Sequence, residues 1–350
     1  MALQENVIRV MVVDDSAVAR SYLIRGLSAK PNIQVAGFAA GASEAMRKVG
    51  ELRPDVITMD VEMPELGGIE LIKKLLPVYQ VPVILVSSLN LRVFDALDAG
   101  AVDFVRKPDG TQNKDEFINT LAQKIVVAAS AKVRPGRPAR RPRTEAAAEP
   151  VPPLGPRPAL DGAVIGLGAS TGGTEATLEV MRRLPADIPP MVIVQHMPPG
   201  FTRMYAERLD KICAMEVREA ADGDELYRGL ALVAPADFQC RVVRTGGRYR
   251  VTCKPGDKVS GHRPSVDVLF ASMAENVKGP MAGVIMTGMG RDGGDGLLAM
   301  RRAGAYTIGQ DRESSVVYGM PMVAFDIGAV GVQASCENIA GVLLRHLREL

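Results

Sequence analysis

The sequence predicts an α/β chain of two doubly wound parallel-sheet domains joined by a Pro/Arg-rich linker. Three observations carry this. Apolar runs of strand length alternate with helical patterns in the first 130 residues, the same alternation returns after residue 160, and between them periodicity is lost. The intervening stretch, "AKVRPGRPARRPRTEAAAEPVPPLGPRPAL", holds eight of the 24 prolines and seven Lys/Arg against two Glu. It reads as an extended, solvated tether over 131–160, separating domains over 7–128 and 161–350.

Composition narrows the function classes. The chain has 350 residues, 47% of them hydrophobic, enough for two buried cores. The net charge of +2 comes from the linker, which carries +5 and leaves −3 for the rest. Neither domain therefore has the basic balance of a nucleic-acid binder, and the absence of Trp disfavours a base-stacking surface. The opening "MALQENVIRV" lacks a secretory pattern, and no run of 18 apolar residues occurs, so a cytoplasmic protein without membrane insertion is expected. Cys213, Cys240, Cys253 and Cys336 show no C-x-x-C spacing and are read as free, packed thiols.

In the first domain the runs are "VIRVMVV", "DVITM", "VPVILV" and "VDFV". Asp14 and Asp15 follow the first, Asp60 the second, Ser87 the third and Lys107 the fourth. The carboxyl ends of strands form the functional crevice of a doubly wound sheet, so these side chains converge from four segments. Crowded carboxylates repel unless a cation joins them, and a few hard oxygen ligands beside an anionic substrate suit Mg²⁺. The metal would neutralise phosphoryl oxygens while one carboxylate attacks phosphorus; Lys107 and Ser87 would grip the product.

From about Ile8 to Val127 this set resembles the flavodoxin-like receiver domain of two-component response regulators. The resemblance implies Asp60 as phosphoacceptor, Mg²⁺ on Asp14, Asp15, Asp60 and the Glu62 region, and a cis Lys107–Pro108 bond. Gly67, in "MPELGGIE", stands where receivers more often carry Asp, a substitution that a turn of positive φ would accept.

The second domain opens with "AVIGLGASTGG". As a dinucleotide fingerprint it fails at the third glycine, where Thr171 stands, and no acidic residue ends the next strand; the G-K-[ST] of a P-loop is absent too. Gly168-Ala169-Ser170-Thr171-Gly172 instead fits G-x-S-x-G between a strand and a helix opening near Thr174, the context of a nucleophile elbow. A base and an orienting acid are then required. Of three histidines, His196 ends the next strand, "MVIVQH"; His262 lies in a loop where it could contact substrate; His346 belongs to a closing amphipathic helix, read as a surface position. A later strand, "MAGVIMTG", runs into "MGRDGGDG" with Asp292; Asp295 is its rival, but lies where a helix begins and has N-capping as its plainer reading. Ser170, His196 and Asp292 thus sit at strand carboxyl ends on one sheet edge, as a Ser/His/Asp triad, which is recognised by geometry and not by chain order.

"GASTGGTEA", "QHMPPGF", "HRPSVDVLF", "TGMGRDGGDG" and "QDRESSVVYGMP", in that order, resemble the catalytic domain of chemotaxis protein-glutamate methylesterases. The resemblance implies hydrolysis of glutamyl methyl esters, and deamidation of certain glutamines, on methyl-accepting chemotaxis receptors. Ser170 would be the nucleophile, His196 the base, Asp292 the orienter and the Met289 N–H an oxyanion donor. The esterase step would need no cofactor, and a chemotaxis histidine kinase would be the phosphodonor. Gln239 stands where the family usually has His after "AP".

The tether suggests regulation in which the unphosphorylated first domain covers the Ser170 edge and phosphorylation uncovers it. Three rivals are weaker. A DNA-binding response regulator lacks a helix-turn-helix or basic helix, a nucleotide-binding oxidoreductase lacks its fingerprint, and a non-catalytic receptor-binding module would not need the Ser/His/Asp set.

Overall fold

A computed structural model of the chain describes residues 7–63, 67–88, 92–108, 114–133 and 151–350. The chain divides into two compact units, Met1–Thr144 and Glu145–Leu350.

The first unit alternates β1 (Ile8–Val13), α1 (Ala17–Ser28), β2 (Ile33–Ala39), α2 (Ala42–Leu52), β3 (Val56–Asp60), α3 (Gly68–Leu75), β4 (Val83–Ser87), α4 (Arg92–Asp98), β5 (Asp103–Arg106) and α5 (Lys114–Ala129). Its five strands run parallel in the order β2-β1-β3-β4-β5, the flavodoxin-like doubly wound order. β3 and β4 are buried throughout because helices cover both faces, which is why they read as unbroken apolar runs. The Lys107–Pro108 bond expected to be cis is not: the cis bond among the described residues is Arg263–Pro264. Trans is the intrinsically favoured X–Pro state, and with it Lys107 already reaches both Asp14 and Asp60.

In the second unit β6 (Val164–Ala169), α6 (Gly173–Met181), β7 (Met191–Gln195), α7 (Phe201–Ile212), β8 (Glu216–Glu219) and β9 (Leu230–Val233) come first. A two-stranded antiparallel arm follows, β10 (Gln239–Thr245) and β11 (Arg248–Lys254). Then come α8 (Val266–Asn276), β12 (Met281–Ile285), α9 (Gly294–Arg302), β13 (Tyr306–Gln310), α10 (Met320–Asp326), β14 (Val332–Ala334) and α11 (Cys336–Glu349). The seven-stranded sheet is parallel, in the order β14-β13-β12-β6-β7-β9-β8. Strand order reverses at β6, so the crevice rule places a site at the carboxyl ends of β6, β7 and β12.

The glycines of the opening motif serve packing. A Cβ on Gly166 would meet Met273 Sδ at 2.8 Å and Phe270 at 2.9 Å, and one on Gly168 would meet Val266 at 2.2 Å. They admit α8 against β6.

The tether expected over 131–160 ends earlier than read. Residues 134–150 lie outside the described residues, but Leu154 is buried, and its N–H and that of Gly155 donate to Asp187 at 2.9 and 2.8 Å. Arg228 clamps both Gly155 O and Asp187. Residues 151–160 thus pack as part of the second unit, held by two apolar anchors, Leu154 and Leu160, and by the Asp187 carboxylate, which a Pro-rich composition conceals. All four cysteines are free. No helix among the described residues is long and apolar enough to cross a membrane.

Candidate active site

Parallel pairing of β6 with β7 sets Ala169 opposite Gln195, and His196 N–H donates to Ala169 O at 3.1 Å. Continuing the register by one residue puts Ser170 beside His196, about 4.8 Å away across the ladder. The turn is held from several sides. Ser170 N–H donates to Thr287 O at 3.0 Å, Gln195 Nε2 to Ser170 O at 2.8 Å, and Thr287 Oγ1 to Thr171 O at 2.9 Å. Gly172 adopts φ +76°, and a Cβ there would also strike Val316, so the last glycine of G-x-S-x-G is required twice over.

His196 Nε2 lies 2.9 Å from Asp292 Oδ2. Asp292 is buried and sits at the N-terminus of α8, where Ser265 Oγ donates at 2.6 Å, Val266 N–H at 2.8 Å and Asp267 N–H at 3.1 Å. Burial alone would raise its pKa, but His196, Ser265 and the Val266 N–H outweigh that and hold it at about 2. An ionised Asp292 requires the proton on Nε2, which leaves the lone pair on Nδ1. Nδ1 is buried and has no hydrogen-bond partner, so the last link, from the Ser170 hydroxyl, is not closed in this structure. Such bonds commonly tighten only in the substrate complex.

The Gly288–Met289 turn lies against Ser170: a Cβ on Gly288 would stand 2.7 Å from Ser170 Cβ. Met289 is exposed beside it. Asp295 is not an N-cap, a position Gly293 takes; it stands in the first turn of α9, paired with Arg291 at 2.8 Å. His346 is half-buried and stacked on Tyr306 at 3.9 Å, with its pKa lowered by burial, and is not the surface position expected. Gln239, the departure from the family pattern, is a buried bracket: its Oε1 accepts from Ser265 N–H at 3.0 Å, and its Nε2 donates to Asp257 O at 2.8 Å and His262 O at 3.3 Å. His262 stacks on His196, ring centroids 3.8 Å apart.

In the first unit, carboxylate oxygens of Asp14, Asp15 and Asp60 lie within 4.8 Å of one another, a set that fits a hard divalent cation. Glu62 does not join them. Its N–H donates to Asp60 Oδ1 at 3.1 Å, while its carboxylate turns away to accept from Ser88 Oγ at 3.0 Å. Lys107 Nζ bonds Asp60 Oδ2 and stands 3.2 Å from Asp14 Oδ2. Burial raises the Asp60 pKa, and neighbouring Asp14 adds to it, against the lowering pull of Lys107 and the Glu62 N–H. Burial would lower Lys107, yet its bond to Asp60 and the charge of Asp14 prevail and raise it. Ser87 Oγ is buried without a partner. Gly67 has φ −59° and needs no positive-φ turn; the required glycine is Gly68, where a Cβ would stand 2.5 Å from Asp60 O.

Sequence reasoning missed Ser265 and Gln195 as site residues. Ser265 carried a signal, an N-cap residue before an apolar helix; Gln195 carried only its place at a strand end.

Comparison with known proteins agrees with this geometry. The family model described as CheB methylesterase matches residues 165–343, and that of the response regulator receiver domain matches 10–119. A protein-glutamate methylesterase/protein-glutamine glutaminase 2 of Syntrophomonas wolfei is 47% identical over 345 residues, covering 98% of each chain. The protein-glutamate methylesterase/protein-glutamine glutaminase of Agrobacterium fabrum is 45% identical over 96% of each. The crystal structure of the Thermotoga maritima CheB methylesterase catalytic domain aligns with a TM-score of 0.50 at 35% identity, over 53% of this chain and 97% of that one. The match to an esterase domain over the second half leaves no room there for the DNA-binding alternative. Taken with the elbow and the acid–imidazole pair, these likenesses show that the chain belongs to the CheB methylesterase family, with a response regulator receiver domain ahead of the esterase domain.

Proposed function

We propose that the chain hydrolyses glutamyl methyl esters, and deamidates glutamines, on cytoplasmic helices of methyl-accepting chemotaxis receptors, under control of phosphorylation at Asp60. The observation that carries the reading is the state of His196: Nε2 is committed to an ionised Asp292, Nδ1 is left without a partner, and the residue follows the β7 end that pairs with the end of β6, where Ser170 stands.

Nδ1 takes the Ser170 proton as Oγ attacks the ester carbonyl carbon. The resulting oxyanion is held by backbone N–H groups, that of Met289 among them. The tetrahedral intermediate collapses, and the imidazolium returns its proton to the departing methoxide, releasing methanol. Water, deprotonated by Nδ1, attacks the acyl-enzyme; the carboxylate leaves and Ser170 recovers its proton. With a glutamine the leaving group is ammonia and the remaining steps are the same.

In the receiver, Asp14, Asp15 and Asp60 would hold Mg²⁺, whose charge would offset that of the incoming phosphoryl oxygens. Asp60 supplies the attacking oxygen toward a phosphohistidine of a chemotaxis kinase. Lys107 and the unpartnered Ser87 hydroxyl then bond the phosphoryl oxygens. Release of methanol from methyl-labelled receptor membranes, with and without a phosphodonor, tests the whole. Ser170→Ala should abolish release, by at least about 10³-fold, and Asp60→Asn should abolish only the response to phosphodonor. A Ser170→Ala protein as fast as wild type would refute the esterase assignment.

A further inference from the structure

One bond to Asp292 fixes an edge of the His196 ring but leaves the plane free to rock about that bond. A second group lies against the ring's face. The His262 imidazole lies face to face with it, centroids 3.8 Å apart and planes 6° from parallel.

The segment that carries His262 is built to hold it still. Val259 and His262 exchange both backbone hydrogen bonds, at 3.0 and 2.9 Å, and the residues between them, Ser260 and Gly261, have φ 52° and 83°. That is the pattern of a two-residue hairpin turn with two left-handed positions, among the tightest the backbone makes. Ser260 Oγ donates to Asp267 Oδ2 at 3.3 Å. Gln239, buried at the start of β10, holds the His262 carbonyl and the Ser265 N–H with the two ends of one amide. Three residues beyond His262, Ser265 bonds Asp292. The stacked ring and the orienting carboxylate are therefore parts of one braced segment.

We propose that His262 is a positioning residue: its ring face fixes the plane of His196, aiming Nδ1 at Ser170, and Gln239 holds His262 in place. It rests on the esterase reading of Ser170, His196 and Asp292. The role assigned to His262 is that of its flat face against His196. A misdirected base costs about 10²-fold for a displacement of about 1 Å, so losing the brace should cost a measurable fraction of that.

The test is methanol release by the phosphorylated full-length protein in four forms. His262→Phe keeps a flat face without nitrogens; His262→Gln keeps hydrogen-bonding capacity without the face. Phe should retain kcat within about threefold, and Gln should lose about tenfold or more, with KM for methylated receptor unchanged in both. Gln239→Ala should lower kcat in wild type and add less than its full cost in a His262→Gln background, the non-additivity of residues acting through one another. A Phe variant as impaired as Gln, a Gln variant equal to wild type, or a loss confined to KM would each overturn the proposal. Ser170→Ala in the same assay separates the two levels. If it is inactive while the His262 variants behave as wild type, only the positioning role fails; if it is active, the esterase reading fails first.

Discussion

Each unit buries an aspartate near the carboxyl end of a parallel sheet, and the two are treated oppositely. Asp292 receives Ser265 Oγ, two backbone N–H groups of α8 and His196, and its pKa is held at about 2. Asp60 has the Lys107 ammonium and one backbone N–H, shares its pocket with Asp14 and Asp15, and has its pKa raised chiefly by burial. Donor supply makes the difference. The carboxylate that orients an imidazole must stay charged and still, so its oxygens are saturated with fixed donors. A carboxylate proposed to attack phosphorus needs a reactive oxygen, and Asp60 accordingly has fewer fixed donors than Asp292, with the Lys107 ammonium as its cationic partner.

The comparison breaks first at Asp292→Asn. The amide removes the charge that fixes the Nε2–H tautomer, and methanol release should fall by about 10⁴-fold. Stability should fall with it. A carboxyl held at about 2 when folded, against about 3.9 unfolded, contributes about 2–3 kcal/mol above pH 4, lost as pH drops through 2. In wild type the calorimetric transition of the second unit should therefore move down steeply between about pH 4 and pH 2. In Asp292→Asn it should start lower and lose much of that slope. An unchanged slope would mean that Asp292 is not the carboxylate so held.

Ser265→Ala sharpens the same side with a smaller effect. It deletes the 2.6 Å donor to Asp292 and also the cap of α8, where Oγ accepts from Val268 N–H at 3.4 Å. The cost should be about 1–2 kcal/mol in the second unit's unfolding free energy. The Asp292 pKa should rise from about 2, and activity should fall less than in Asp292→Asn. A loss of stability without a change in the acid limb would reduce Ser265 to a helix cap.

Ser265 also marks where the sequence stops being legible. The proposed nucleophile, base and acid are readable because each follows a strand that reads as an apolar run, and the proposed chemistry demands those three residue types. The donors around Asp292 are not, since a backbone N–H has no letter and Ser265 looks like any N-cap. The strands show the same divide. Buried β3, β4, β6 and β12 announce themselves, whereas β2, half-exposed at the sheet edge with Gly37 in its middle, does not. The arm β10–β11, "QCRVVRT" and "RYRVTCK", alternates buried and exposed positions with arginine on the open face, and its charge hides a strand pair whose first residue braces the site. His262 belongs to the same class: a loop histidine whose stacking partner is 66 positions away in "QHMPPGF" cannot be assigned a neighbour until the sheet puts it there.

The smallest effect, and the one of opposite sign, belongs to Asp60→Asn. A carboxyl whose folded pKa is raised is charged at a cost to the folded state; that cost is present at neutral pH and disappears as pH falls through the folded value. Replacing it with a neutral amide should therefore raise the first unit's transition by a few degrees at pH 7, while Lys107 keeps Asp14 as its partner at 3.2 Å. The gain should shrink as the pH is lowered and the native Asp60 takes up a proton. Mg²⁺ should reverse the order, because the cation stabilises the wild-type cluster of three carboxylates more than the variant's two. Calorimetry of both proteins at pH 7 and pH 4, with and without millimolar Mg²⁺, reads all three signs at once. If Asp60→Asn instead lowers the metal-free transition, Asp60 is a stabilising partner of Lys107 like any buried ion pair. The contrast between a saturated carboxylate in one unit and a starved one in the other would then be lost.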